Sequence, residues 1–385
     1  MKRFGLILLG ALAPSATAKP VEFSAIVKGE LGYGTNPFLR SGVTKGAALA
    51  SGTVMPRLTY QTALATTTLS GSYTRDEYLN SFGHTESLTA SLTRQDQLAQ
   101  NLTSQLAASF TSTNRAIITD PTQTLIEDPL NIGRRTRHLN GSYQIQWQAS
   151  GRDQFSFGGS ASHLSYGGNR TTLPGRASGY DQYGANGSYY RTIDARTSVG
   201  AAVSVTSVHS RLYPNSRSIQ PSITAKRQLS GIWTVDGHVG LVFQTIYGPF
   251  GESRTSLGFG LNLCGKYPLT SFCVTADRGS QPSGYGGLRT STSIAANLTH
   301  SISEHDRASF NASYVKSDSI GSATITGPSF RNSRAILANA EYDRDLTQRL
   351  SGGVGARYQW RDLTSVGTAH AISATVHVTA KLGRI

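Results

Sequence analysis

Between His138 and Ala161 the chain alternates. Leu139, Gly141, Tyr143, Ile145, Trp147 and Ala149 are apolar or small, and His138, Asn140, Ser142, Gln144, Gln146 and Gln148 interleave with them as polar residues. A period of two sorts such residues onto opposite faces of a β-strand. After Ser150-Gly151-Arg152-Asp153 the pattern resumes, with Phe155, Phe157, Gly159 and Ala161 set against Gln154, Ser156, Gly158 and Ser160. A β-hairpin with one apolar and one polar face fits this stretch. A helix, with its period of 3.6, does not.

The rest of the chain repeats the hairpin. Eighteen alternating segments run from Val21 to Leu382, and a barrel of about 18 strands, within 16–18, is expected. The gaps between them alternate between short, as at 150–153, 193–196 and 265–270, and longer, as at 117–133, 167–177 and 317–332. Hydrophobic residues are only 38% of the chain and glycines number 41, against roughly 45–50% apolar in ordinary globular domains. A closed barrel reconciles a low apolar share with unbroken alternation. It needs one apolar residue in two, since its interior can be wet. Beyond Ala18 no apolar run is long enough for a spanning helix. In lipid the remaining option is a closed sheet without edges. The expected fold is therefore all-β, a transmembrane antiparallel up-and-down barrel of about 18 strands. Pro56 and Pro221 fall inside predicted strands, where each costs a ladder hydrogen bond. A bulge or a shorter strand could absorb either.

Residues 1–18 read as an export signal. Lys2 and Arg3 precede a short apolar stretch, and Ala16-Thr17-Ala18 has the small-x-small form of a cleavage site after Ala18. The remaining 19–385 is expected to be a single barrel domain in the cell outer membrane of a Gram-negative organism. Its expected partners are membrane lipid and lipopolysaccharide together with the barrel-assembly machinery. Association of copies into a homo-oligomer is left open.

Charge assigns the faces. A Lys or Arg facing lipid near mid-bilayer costs about 2–4 kcal/mol. Lys28, Arg57, Lys226, Arg289, Arg307, Glu341, Arg357, Arg361 and Lys381 all share the polar parity, as do Asp236, Asp277 and Asp343. They are expected to line the lumen, with the apolar face turned outward. Arg191 and Arg344 fall on the apolar parity, but at strand ends. His163 is out of parity, and a bulge near Gly158-Gly159 would account for it. The net charge of +14 falls to +12 without Lys2 and Arg3, so a mixed, net basic lumen is expected, one biased toward anions or anionic oligosaccharides. The basic residues are scattered singly, which argues against nucleic acid as a partner.

Catalytic signals are weak. His163, Ser165 and Asn169 cluster in sequence but match no nucleophile spacing, and no phosphate-binding, dinucleotide-binding or calcium-binding loop occurs. No enzyme activity, cofactor or metal is expected. Cys264 and Cys273 flank a predicted two-residue turn at Pro268-Leu269, which sets them opposite each other on the lumen face. Cross-strand cysteines at that distance can bridge, and a disulfide stapling the turn is the expected role.

The opening strand and its exit, Glu30 to Gly42, contain Tyr33-Gly34-Thr35-Asn36-Pro37-Phe38. This resembles the start of outer-membrane proteins of the β-barrel porin 2 type, which carry a Tyr-x-x-Asn-Pro-Phe pattern there. The resemblance implies an outer-membrane barrel of alphaproteobacterial style, some members of which accompany exopolysaccharide production. It carries over no binding residues. Such barrels commonly end on an outward aromatic, whereas here Leu382 is the last residue in apolar parity. The function expected is a porin-like channel for small hydrophilic or anionic solutes. The alternatives are a plugged or structural barrel assisting polysaccharide export and, more remotely, a barrel-embedded enzyme.

Overall fold

The computed structural model describes residues 21–37, 39, 41–79, 82–114, 135–167, 179–211, 214–248, 251–282, 288–318, 332–363 and 367–383. The leader with its cleavage site at Ala18 and the 117–133 loop lie outside them.

The described residues form eighteen strands: β1 (Glu22–Thr35), β2 (Gly46–Gln61), β3 (Ala65–Tyr78), β4 (Gly83–Ala99), β5 (Leu102–Thr113), β6 (Thr136–Gln148), β7 (Asp153–Tyr166), β8 (Tyr180–Asp194), β9 (Thr197–Ser210), β10 (Ser216–Gln228), β11 (Trp233–Ile246), β12 (Glu252–Lys266), β13 (Thr270–Pro282), β14 (Leu288–Ser301), β15 (Asp306–Asp318), β16 (Asn332–Asp345), β17 (Leu350–Leu363) and β18 (Gly367–Gly383). Each pairs antiparallel with the next, and β1 pairs with β18 from Ser24↔Gly383 to Gly34↔Ser373, so the sheet closes. The expected eighteen-stranded up-and-down barrel is borne out. Both described ends of the chain lie at the end with short connections, the turn end; the longer connections mark the loop end.

The exposed face is the apolar one. Phe23, Val27 and Leu31 of β1, Val239, Leu241 and Phe243 of β11, and Ile372, Val376 and Val378 of β18 all stand open on the outer surface. Aromatics gather at the turn end of this face. Trp147 stacks on Phe155 with centroids 5.5 Å apart, and Phe155 meets Tyr189 at 5.0 Å. Tyr33, Tyr73, Tyr314, Tyr358 and Trp360 lie toward the loop end of their strands. A small cluster on the inner side ties the first loop to the wall: Leu39, 1% exposed, packs on Ala369 and Ala371 of β18. Asn36 supports it, its Nδ2 donating to the His370 carbonyl at 3.2 Å.

The two strand prolines cost pairing without changing register. β2–β3 pairing breaks between Val54↔Tyr73 and Arg57↔Ser70, around Pro56. β10–β11 breaks between Ile219↔Phe243 and Ser222↔Gly240, beside Pro221. On the far side of each strand the ladder is unbroken, with Pro56 opposite Ala25 and Pro221 opposite Val203. No bulge is required. The bulge expected near Gly158-Gly159 is likewise absent, because β7 pairs in unbroken register with β6 and β8. His163 has the outward parity and is accommodated by a partner, Asp181, whose Oδ1 lies 2.6 Å from His163 Nδ1. Register shifts occur instead beside two turns, at Gln97/Ala99 and Thr192/Asp194. β4 runs on through Ala99 before the turn to β5.

Candidate functional site

Following the register around the closed sheet divides the inner wall into two arcs. Among the described residues, no Asp, Glu, Lys or Arg occupies the lumen parity of β4 to β9. That third of the circumference presents hydroxyls and amides. Its densest part comes from the Gln-Ile-Gln-Trp-Gln run, where the period of two turns Gln144, Gln146 and Gln148 inward and Ile145 and Trp147 outward. Gln144 Nε2 donates to Ser156 Oγ at 2.9 Å. These groups line a cavity of about 730 Å³ that continues past Tyr190 and Thr224 to Lys226, Asp236, His238 and Asp277.

Charge concentrates on the opposite arc. Lys28 Nζ lies 2.9 Å from Glu30 Oε1 in its own strand and 2.9 Å from Glu341 Oε1 of β16. His377 of β18, with a side chain only 1% exposed, stands between two acids: its Nε2 is 2.7 Å from Asp343 Oδ1 and 3.5 Å from Glu341 Oε1. These contacts reach across β17, which has Gly353 and Gly355 at the crossing. A Cβ added at Gly353 would lie 2.6 Å from His377 Nε2 and 2.2 Å from the Tyr342 carbonyl oxygen. Glycine there makes room for the network. Next along the arc, the buried Asp76 accepts from Ser51 Oγ at 2.7 Å and Thr85 Oγ1 at 2.8 Å.

The lumen residues expected from sequence fall as follows. Lys28 and Glu341 are bridged. Lys226 stands opposite Asp236 on β11, and Arg307 opposite Asp343 on β16. Lys381 Nζ is 3.7 Å from Asp345 Oδ1. Arg357 Nε donates to Asn339 Oδ1 at 2.9 Å. Arg57 is exposed on the lumen parity, Arg361 is 8% exposed, and Arg289 lies near the loop end of β14. With acids interleaved this closely, the strand lining is near charge balance instead of the mixed, net basic lumen expected. Arg191 and Arg344, the two arginines expected on the apolar parity, stand across from Asp153 and Asp306 at the turn end, and further outward charges such as Arg75, Glu77, Arg94 and Asp96 also lie toward strand ends.

Glu341, Asp343 and His377 offer ligand atoms within 4.8 Å of one another. A metal ion would have to displace Lys28 from Glu341 and open the His377–Asp343 contact, so the group reads as an ion-pair network. Cys264 and Cys273 are joined by a disulfide on the lumen side of the β12–β13 hairpin, with Cα atoms 4.1 Å apart. Of the His163, Ser165 and Asn169 group, His163 engages Asp181, and Asn169 lies outside the described residues. Sequence reading passed over the neutral arc, although its signal, glutamines at every even position from 144 to 148 and again at 154, is in plain view.

No family model and no curated protein matches the chain. Solved structures do. The chain is similar to Pseudomonas aeruginosa OpdO at 11% identity, covering 95% of this chain and 98% of that one with a TM-score of 0.48. It is similar to P. aeruginosa OccK2 (OpdF) at 12% identity over 95% and 98%, TM-score 0.46. The FrpB iron transporter of Neisseria meningitidis aligns at 8% identity over 94% and 81%, TM-score 0.49.

Proposed function

We propose that this chain is an outer-membrane channel of a Gram-negative bacterium for small hydrophilic solutes, without catalytic activity. One observation carries the reading: a closed sheet holds apolar side chains on the outside over the middle of its strands, as at Val239 (51% exposed) and Val376 (60% exposed), while outward ionisable residues such as Arg75, Glu77, Arg94 and Asp96 stand toward strand ends. In water such a surface would leave a contiguous apolar belt exposed, far beyond what soluble monomers tolerate. In a bilayer the belt meets acyl chains, and apart from the breaks at Pro56 and Pro221 and the loop-end part of β12 the ladder hydrogen bonds are made within the closed sheet. A barrel of this strand number has room for an aqueous lumen.

The amide and hydroxyl arc supports a solute class. Gln144, Gln146, Gln148 and Gln154 supply paired donors and acceptors without charge, which suits polyhydroxylated molecules such as oligosaccharides. The near balance of lumen charge favours neutral over anionic solutes. Reconstitution into planar lipid bilayers tests the reading. Discrete conductance steps, blocked by oligosaccharides at millimolar concentration, are expected. Silence in the bilayer together with recovery of the protein in the soluble periplasmic fraction would overturn it. A second reading, a partly closed barrel serving polysaccharide export, draws support from the first loop being packed against the inner wall at Leu39.

A further inference from the structure

The sheet does not run straight to its loop end. β12 pairs with β11 along its whole length, to Ile246↔Glu252, but with β13 only as far as Phe259↔Arg278. Beyond that point β13 and β14 remain paired to each other, to Pro282↔Leu288, and they touch β11 and β10, strands from which β12 should separate them. Arg278 Nη1 donates to Thr292 Oγ1 at 2.9 Å and holds the two strands together where they leave the wall.

Side-chain parity says where they go. Ser280 and Leu288 have the outward parity of their own strands, that of Ala276 and Ile294. Yet Ser280 Oγ accepts from Gln244 Nε2 at 2.7 Å, and Leu288, 0% exposed, packs with Leu164, Tyr180 and Val208. Gln244, Leu164, Tyr180 and Val208 all have the lumen parity of β11, β7, β8 and β9. An outward-facing side chain reaches the lumen-facing side chains of other strands only when its own strand lies inside the barrel. Gly258 of β12 marks the crossing: a Cβ there would come within 2.6 Å of Val242 Cγ2 and 3.3 Å of the Arg278 carbonyl oxygen. The apolar patch that Leu164, Tyr180 and Val208 make on the inner wall is thereby explained as a seat.

We propose that the loop-end halves of β13 (Gly279–Pro282) and β14 (Leu288–Ser291) form the filter of the channel, clamped to the inner wall at Leu288 and Ser280. Arg289 alternates with Leu288 and so lies on the hairpin face turned away from the wall, where it sets the charge preference of the constriction. The cavity lined by the glutamines lies to the turn side of it. This rests on the channel reading above.

The test is single-channel recording of the wild-type protein, Leu288→Asp and Arg289→Glu. Leu288→Asp places a charge in the apolar seat and is expected to raise unit conductance at least threefold. Arg289→Glu is expected to move the reversal potential in a salt gradient toward cation preference. A silent wild type with a conducting Leu288→Asp variant also supports the filter. If the wild type and Leu288→Asp conduct equally, the filter is wrong and the channel reading stands. If neither conducts, both fall. An unmoved reversal potential removes the role of Arg289 alone. Since Leu288→Asp could compromise assembly, a Val208→Cys/Leu288→Cys variant gives an independent readout in folded protein. Cross-linking on oxidation is expected, and its absence would overturn the inward placement.

Discussion

The hydroxyl of Tyr189 donates to Asp153 Oδ1 across the β7–β8 pair at 2.7 Å. Ser150 Oγ donates to the other oxygen of the same carboxylate at 2.6 Å and accepts from the Asp153 amide at 3.0 Å. The arrangement recurs at the β14–β15 turn, where Tyr342 donates to Asp306 at 2.6 Å and Ser303 at 2.7 Å. Each carboxylate thus ties a turn to the next strand, and Arg191 and Arg344 stand two residues beyond the tyrosines. The outward arginines have a local reason: they face the acid of the lock at the edge of the apolar belt.

Removing one hydroxyl should therefore weaken one turn without disturbing the barrel. Tyr189→Phe in detergent-solubilised protein is expected to lower the thermal midpoint by about 1–3 °C, the scale for a single part-buried hydrogen bond in a chain of this size. The two locks are far apart and share no partner, so Tyr189→Phe/Tyr342→Phe should show the sum of the single effects. Circular dichroism melts decide it, and a double variant no worse than either single one would contradict independent locks.

The crossing at Gly353 gives a sharper expectation. Gly353→Ala would press a methyl group against His377 and the Tyr342 backbone, so it should destabilise by about 1–3 kcal/mol, the range for overpacking. Gly352→Ala is the control, since its Cβ would meet only the His377 carbonyl at 3.6 Å and Leu346 at 3.7 Å, ordinary contact distances. Urea titrations of both variants in micelles should show a lower midpoint for the first alone. Equal midpoints would mean that β17 has room at Gly353 after all.

The disulfide closes a short loop, with a sequence separation of 9 between Cys264 and Cys273. On chain-entropy grounds such a loop contributes about 2–3 kcal/mol. It also sits in the strand pair with the shortest ladder, so its loss falls where few hydrogen bonds hold the strands. Cys264→Ser/Cys273→Ser, or reduction of the wild type, should lower the urea midpoint by a matching amount. Reductant should have no effect on the double variant, which separates the bridge from any side effect of the reagent.

How much of this was legible beforehand depends on whether a property is local. Alternation over residues such as Leu139 to Ala149 is local, and it placed the strands, the faces and the facing cysteines. The acid partners of the lumen bases are not local. Lys28 and Glu341 meet only because β1 closes on β18, and Gly353 matters only because two strands reach over it. His163 looked like a register fault because Asp181, its partner, sits on the next strand beyond a long loop. The inward turn of β13–β14 was the least legible. Leu288 and Ile294 share one parity and one chemistry, and only the point at which the β12 ladder stops separates an outward side chain from one seated against the inner wall. Leu164 and Val208, apolar residues on polar parity, were the available signal.

The assignment of faces can be tested at one rung. Val239 of β11 pairs with Ile223 of β10, both on the outward face, while Ser222 and Gly240 form the adjacent inward pair. Val239→Arg puts a guanidinium near the middle of the apolar belt and should cost about 2–4 kcal/mol. Ser222→Arg, one rung away on the other face, adds the same charge to an aqueous lumen and should cost little. Refolding into vesicles, followed by heat-modifiable gel mobility and a guanidinium titration, reads both. The outward variant should fold in lower yield and unfold at lower denaturant, while the inward variant should match wild type in both. If the order were reversed, with Arg tolerated at 239 and rejected at 222, the apolar face would be the one enclosed, and the barrel could not be one that faces lipid.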